Sequence, residues 1–156
     1  MSLQFFKFLS KPAKARPPNL ADFLGEFAAI AQPVGEGCFA FAKPGGGCHG
    51  FVQFIISCER MIQIHRLWTP EPGKGNGSII VRTLCELADR HGVELKLKVI
   101  PIGRKPYPLS RQQLKAWYQR HGFEGPRWML QRKPATSNRR VGSSATSEPR
   151  HDLVSA

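Results

Sequence analysis

The chain has 156 residues, 41% of them apolar, and a formal net charge of +12. That length suits one domain with a sizeable core, and no apolar run approaches the ~18 residues that a membrane helix needs. A multidomain or membrane-spanning protein is therefore not expected, and a cytoplasmic location is. Seven of the twelve net charges fall in residues 1–19 and 132–156, so the body of the chain is only modestly basic and reads by default as a solvated surface. The four cysteines form no C-x-x-C pair, and Cys48-His49 is the only Cys/His neighbour, so the thiols read as free and no metal is expected.

In chain order, Leu3–Leu9 alternates weakly and reads as a first strand, followed by the basic, proline-rich stretch Lys11–Pro18. Asn19 is a candidate N-cap. Leu20, Phe23, Leu24, Phe27, Ile30 and Ala31 recur behind it at helical spacing, and Pro33, Gly35 and Gly37 stop the helix. Cys38–Ala42 and Phe51–Cys58 are short apolar runs joined by a glycine-rich connection, which predicts a strand pair. Met61–Thr69 is a third strand. In it Ile62 and Ile64 share a face but the next aliphatic is Leu67, so the alternation slips at His65-Arg66 and predicts a β-bulge.

Pro72-Gly73-Lys74-Gly75-Asn76-Gly77-Ser78 then leads into a helix over Ser78–His91, with Gly92 at its C′ position. The first amides of such a helix lack acceptors and sit at the positive end of its dipole, which favours a phosphate. By itself a glycine-rich stretch is equally a surface turn. Val93–Ile100 alternates cleanly, so strand, loop, helix and strand form a β-α-β unit with a parallel pair. The basic loop Pro101–Pro108 delivers Ser110, which opens a capping box with Gln113; the helix it starts runs to about His121 and ends at Gly122. Arg127–Gln131 reads as a last strand. Residues 1–133 are expected to form the domain, and 134–156, rich in Ser, Thr and Arg, a disordered tail.

The stretch Leu67-Trp68-Thr69-Pro70-Glu71-Pro72-Gly73-Lys74-Gly75-Asn76-Gly77, with the following helix, strand and Tyr118-x-x-x-Gly122-Phe123, resembles the GNAT N-acetyltransferases in order and spacing. That family carries Arg/Gln-x-x-Gly-x-Gly/Ala before the first of these helices and Tyr-x-x-x-Gly-Phe at the end of the second. The resemblance covers about residues 60–133. It implies an α/β, layered α+β fold: a mixed sheet flanked by helices on both faces.

It also implies acetyl-CoA as co-substrate. The pyrophosphate would lie on Gly73, Lys74, Gly75, Asn76, Gly77 and Ser78, and the pantetheine arm would bond to backbone near Leu67 and Thr69. Tyr118 takes the family's general-acid position, protonating the departing thiolate; as a phenol of pKa ~10 it is protonated at neutral pH. Its alternative is a core aromatic beside Trp117. No motif assigns the base. His65 at the bulge has a suitable ordinary pKa of ~6.5, and Glu59 and Glu94 are further candidates. Pro72 stands where Arg or Gln is usual, and Arg111 near a position where many members carry Asn.

The implied activity is transfer of an acetyl group to a primary amine, on a small molecule or a protein, by a monomer or homodimer. The competing reading is a non-catalytic basic module holding nucleic acid or another acidic partner through Lys11, Lys14, Arg16, Arg139 and Arg140, although no RNA- or DNA-binding motif supports specific readout.

Overall fold

A computed structural model describes residues 18–102 and 109–135. The expected strand Leu3–Leu9, the basic loop residues Arg104, Lys105 and Tyr107, and the tail cations Arg139 and Arg140 lie outside the described residues, as do Lys11, Lys14 and Arg16.

Helix α1 spans Leu20–Ile30, and Asn19 caps it by accepting from the Asp22 amide. Strand β1, Ala31–Gly35, follows at once; the sequence hides it, because Pro33 and Gly35 read as a helix stop. Proline is tolerated there because β1 is an edge strand, paired only with β2, Cys38–Ala42. β3 runs from Cys48 to Cys58 and β4 from Met61 to Trp68. β3 therefore begins inside the stretch expected to be a loop. It passes so close to the end of β4 that a Cβ on Gly50 would stand 2.4 Å from the Trp68 carbonyl oxygen. Only glycine fits.

Helix α2 covers Asn76–His91, two residues longer at its start than the pattern suggests, and ends on Gly92 with φ +68°. β5, Glu94–Lys98, pairs parallel to β4, as the β-α-β reading requires. The capping box forms as expected: Ser110 Oγ accepts from the Gln113 amide and Gln113 Oε1 from the Ser110 amide, opening α3 over Arg111–Arg120. β6, Met129–Arg132, closes a six-stranded sheet in sequential order, antiparallel except at β4–β5.

The fold is thus α+β with a mixed sheet and three helices. Residues of α1, α2 and the end of α3 share one core with a face of that sheet. Phe54, Ile62, Ile64, Leu95, Leu97 and Leu130 are buried on that face. Phe27 of α1 meets Phe39, Phe41 and Phe54 there, while Tyr118 and Phe123 at the end of α3 join the same core. The alternate strand positions carry Gln53, Gln63, Lys96 and Gln131, polar side chains suited to a wetter face.

Polar ties fix α2 to its neighbours. The Asn19 amide donates to the His91 carbonyl at 2.9 Å, and Arg90 pairs with Glu26. On the sheet side Arg132 of β6 makes a two-pronged pair with Asp89, at 2.7 Å on each arm, and the Ala135 amide also donates to Asp89. Burial opposes the Asp89 charge, but the Arg132 guanidinium and the Ala135 amide outweigh it and hold the carboxyl below its ordinary range. A depressed carboxyl pKa adds stability that is complete above the unfolded value of ~3.9 and fades as pH falls through the folded one. Asp89→Asn should lower unfolding stability by about 1–3 kcal/mol at neutral pH. In urea titrations that gap should close as the pH drops below the Asp89 titration; a gap that persists in acid would show that the ion pair is not its source.

Candidate active site

The site begins with one extra residue. Gln53 of β3 faces Arg66, but Phe54 faces Ile64, so His65 is left over as the bulge that the slipped alternation predicts. The parallel ladder to β5 also ends there, its last pair being Ile64 and Leu97. β4 continues to Trp68 bonded to β3 alone, so its edge from His65 onward has no strand partner among the described residues. Where the two strands part, a cleft of about 790 Å³ opens.

The cleft is lined by His65, Leu67, Thr69, Gly73, Gly75, Gly77 and Ser78, and Tyr118 borders it from α3. Eight of the twelve residues singled out by sequence therefore border one space. Lys74 and Asn76 do not line it. Asn76 was expected to meet the ligand, but the helix starts at Asn76 rather than Ser78, which turns its side chain inward to 5% exposure. There its Oδ1 meets His49 Nδ1 at 2.9 Å. A carbonyl oxygen only accepts, so His49 Nδ1 carries the proton. Glu59 and Glu94 also lie away from the cleft, Glu94 accepting from Gln131.

The loop before α2 leaves its backbone amides free of protein partners among the described residues. Gly73 and Gly75 hold φ of +80° and +78°, and a Cβ on either would meet nothing within 4 Å, so glycine serves the backbone conformation there. The amides of Gly73 through Gly77 donate to no protein acceptor among the described residues; the first in the turn to do so are Ser78 and Ile79, both onto the Gly75 carbonyl, at 3.0 and 3.2 Å. Pro72 lies at the cleft wall and contributes no donor.

Trp117, read from sequence only as a packing residue, turns out to join the two helices. Its Nε1 donates to Ser78 Oγ at 3.2 Å, and its ring lies 3.5 Å from where a Gly77 Cβ would be. Arg111 is used structurally: its Nε donates to the Val99 carbonyl at 2.9 Å and its guanidinium covers the Trp128 ring at 4.5 Å. The sequence places arginine and lysine near the site only in the loop Gly103–Tyr107, which lies outside the described residues; the described walls carry others. Arg66, Lys98 and Arg120 line the cleft, and no Asp or Glu does so among the described residues.

Tyr118 is 7% exposed, stacked edge-on against Trp117 and Phe123, and its hydroxyl has no hydrogen-bond partner among the described residues. Burial pushes the phenol far above its ordinary range, so it is a proton donor at every physiological pH. Nearby His121 is shifted the other way, first by burial and then by Arg82, Arg120 and Arg132. Burial lifts the Cys85 thiol to about 11, which removes it as a nucleophile.

No protein-family model matches the chain, and no curated protein matches it. Among solved structures, anti-CRISPR protein AcrVA5 is similar at a TM-score of 0.47 and 18% identity, over 61% of this chain and 97% of that one. Ard1 from Thermoplasma volcanium is similar at a TM-score of 0.48 and 13% identity, over 72% and 78%. At these scores neither likeness bears on function, which is argued from the site itself.

Among the described residues His49 is the one partner of the buried Asn76 side chain, bonded at Oδ1, and Nδ2 has none. His49→Ala should loosen the first turn of α2, speeding amide exchange at Ser78 and Ile79 about tenfold, as loss of ~1 kcal/mol or more implies. Unchanged exchange there would show that His49 does not anchor the loop.

Proposed function

We propose that the chain is a GNAT-type N-acetyltransferase that moves an acetyl group from acetyl-CoA to a primary amine. One observation carries the reading: among the described residues, amides without an acceptor at a helix start, a strand edge without a partner and the hydroxyl end of a buried tyrosine border the same cleft. The three suit a ligand that is anionic at one end, amide-bearing in the middle and in need of a proton at the other. Acetyl-CoA has that order.

The amides of Gly73–Gly77 hold the pyrophosphate, where the helix dipole adds to their charge. Glycine lets the backbone approach without a side chain between. The free edge of β4 from Leu67 to Thr69 bonds the amide groups of the pantetheine arm, as a neighbouring strand would. Tyr118 gives its proton to the departing thiolate. Burial that weakens the phenol as an acid strengthens the thiolate as a base in the same dry cleft, so the transfer is not forced uphill. His65 takes the ammonium proton, directly or through water, from its exposed position on the bulge. Bound acetyl-CoA supplies the activated acyl group itself.

Two measurements test this account. Gly73→Asp and Gly73→Asn place side chains of equal size in the same left-handed conformation, which both tolerate. By calorimetry Gly73→Asp should bind acetyl-CoA at least about tenfold more weakly than Gly73→Asn, from charge repulsion alone. Equal affinities would remove the loop from the phosphate site. Tyr118→Phe should lower kcat by roughly 10²–10⁴-fold with acetyl-CoA affinity nearly unchanged. Because Tyr118 stays protonated, the wild-type rate should show no alkaline fall from this group below pH ~10. A full-rate Phe variant would return Tyr118 to a packing role.

A further inference from the structure

The cations of the cleft fall into two sets on opposite faces of the sheet. Leu67 faces Val52, whose side chain is in the core, so Leu67 and the α2 start that touches it lie on the helical face. Arg120, in the last turn of α3, belongs to the same side. Arg66, by contrast, faces Gln53, Trp68 faces Phe51, and Lys98 faces Met129. Directly opposed residues share a face. Arg66, Trp68 and Lys98 therefore reach the cleft from the side away from the helices and the phosphate loop.

That side holds a built surface. The Phe51 and Trp68 rings stack at 5.1 Å and 18°. Beyond Lys98 the cleft wall continues in Ile100 and Ile102, 45% and 39% exposed. Among the described residues Arg132 pairs with Asp89, Arg90 with Glu26 and Lys43 with Glu71, all away from this side of the cleft. Arg66 and Lys98 have no acidic partner among the described residues, and His65, on the bulge, adjoins Arg66. Two unpaired cations beside an aromatic and aliphatic wall fit a ligand with an anionic group and an apolar body, and they repel a polycation.

We infer that Arg66 and Lys98, with the Phe51–Trp68 stack, form the acceptor subsite, and that the acceptor is a small amine carrying its own carboxylate or phosphate. The inference rests on the acetyl-transfer reading above. An N–C bond replaces the C–S bond of acetyl-CoA; of the two protons lost by the ammonium, one balances the departing thiolate as CoA thiol and the other goes to solvent. An anion held by Arg66 and Lys98 would place the neighbouring amine near His65, at the point where the strands part.

The test measures thiol release from acetyl-CoA with phenylalanine, O-phosphoethanolamine, phenylethylamine and spermidine as acceptors, alongside calorimetric binding of acetyl-CoA. At least one of the two anionic amines should exceed phenylethylamine and spermidine in kcat/KM by about tenfold or more. The two arms show whether the site takes a carboxylate or a phosphate. Arg66→Gln and Lys98→Gln should each raise KM for the anionic amine about tenfold, with acetyl-CoA affinity unchanged. The inference is overturned if acetyl-CoA binds yet neither anionic amine turns over at about 10 mM, well above ordinary KM values. It is equally overturned if spermidine or phenylethylamine is the better substrate, or if the Gln variants weaken acetyl-CoA instead. Failure to bind acetyl-CoA at all would sink the acetyl-transfer reading itself.

Discussion

Everything at this site depends on the ladder between β4 and β5 coming to an end. A parallel pair bonded along its whole length would leave no backbone free and no space between the strands. One surplus residue, His65, breaks the register, and from there β4 follows β3 while β5 goes its own way. The bulge creates the cleft, frees a strand edge and turns Arg66 and Trp68 to the face away from the helices. Gly50 completes the arrangement, since the end of β4 needs a neighbour without a side chain to follow β3 that closely.

The second requirement is a helix start held rigidly at the mouth of that cleft. Dipole and free amides favour an anion only if the turn stays where the strands open. Three contacts hold it: the Asn76 side chain on His49, Ser78 on Trp117, and the Ile80-to-Ala88 stripe of α2 in the core. The same Trp117 packs against Tyr118, so the α2 start and the Tyr118 side chain are positioned by adjacent residues of α3.

Much of this was legible in the sequence wherever a local rule governed the outcome. The capping box at Ser110, the left-handed stops at Gly92 and Gly122, the alternation of β5 and the slip at His65 each depend on a few neighbouring residues. What was not legible depends on distant partners. β1 exists because β2 offers it an edge, against the stop signal of Pro33. Asn76 turns inward because His49, far away in sequence, waits for it. That Arg66, Lys98 and Arg120 share the walls was invisible because they come from three elements and meet only after folding.

The central claim is that the amides of Gly73–Gly77 and the cleft beside Tyr118 receive CoA. Titration of the ¹⁵N-labelled protein with CoA tests it most directly. Saturable amide shifts should be largest at Gly73, Gly75 and Gly77, move downfield as the amides gain an anionic acceptor, and extend along β4 from Leu67 to Thr69. Shifts that fail to saturate at millimolar CoA, or that cluster away from this loop, would contradict the account.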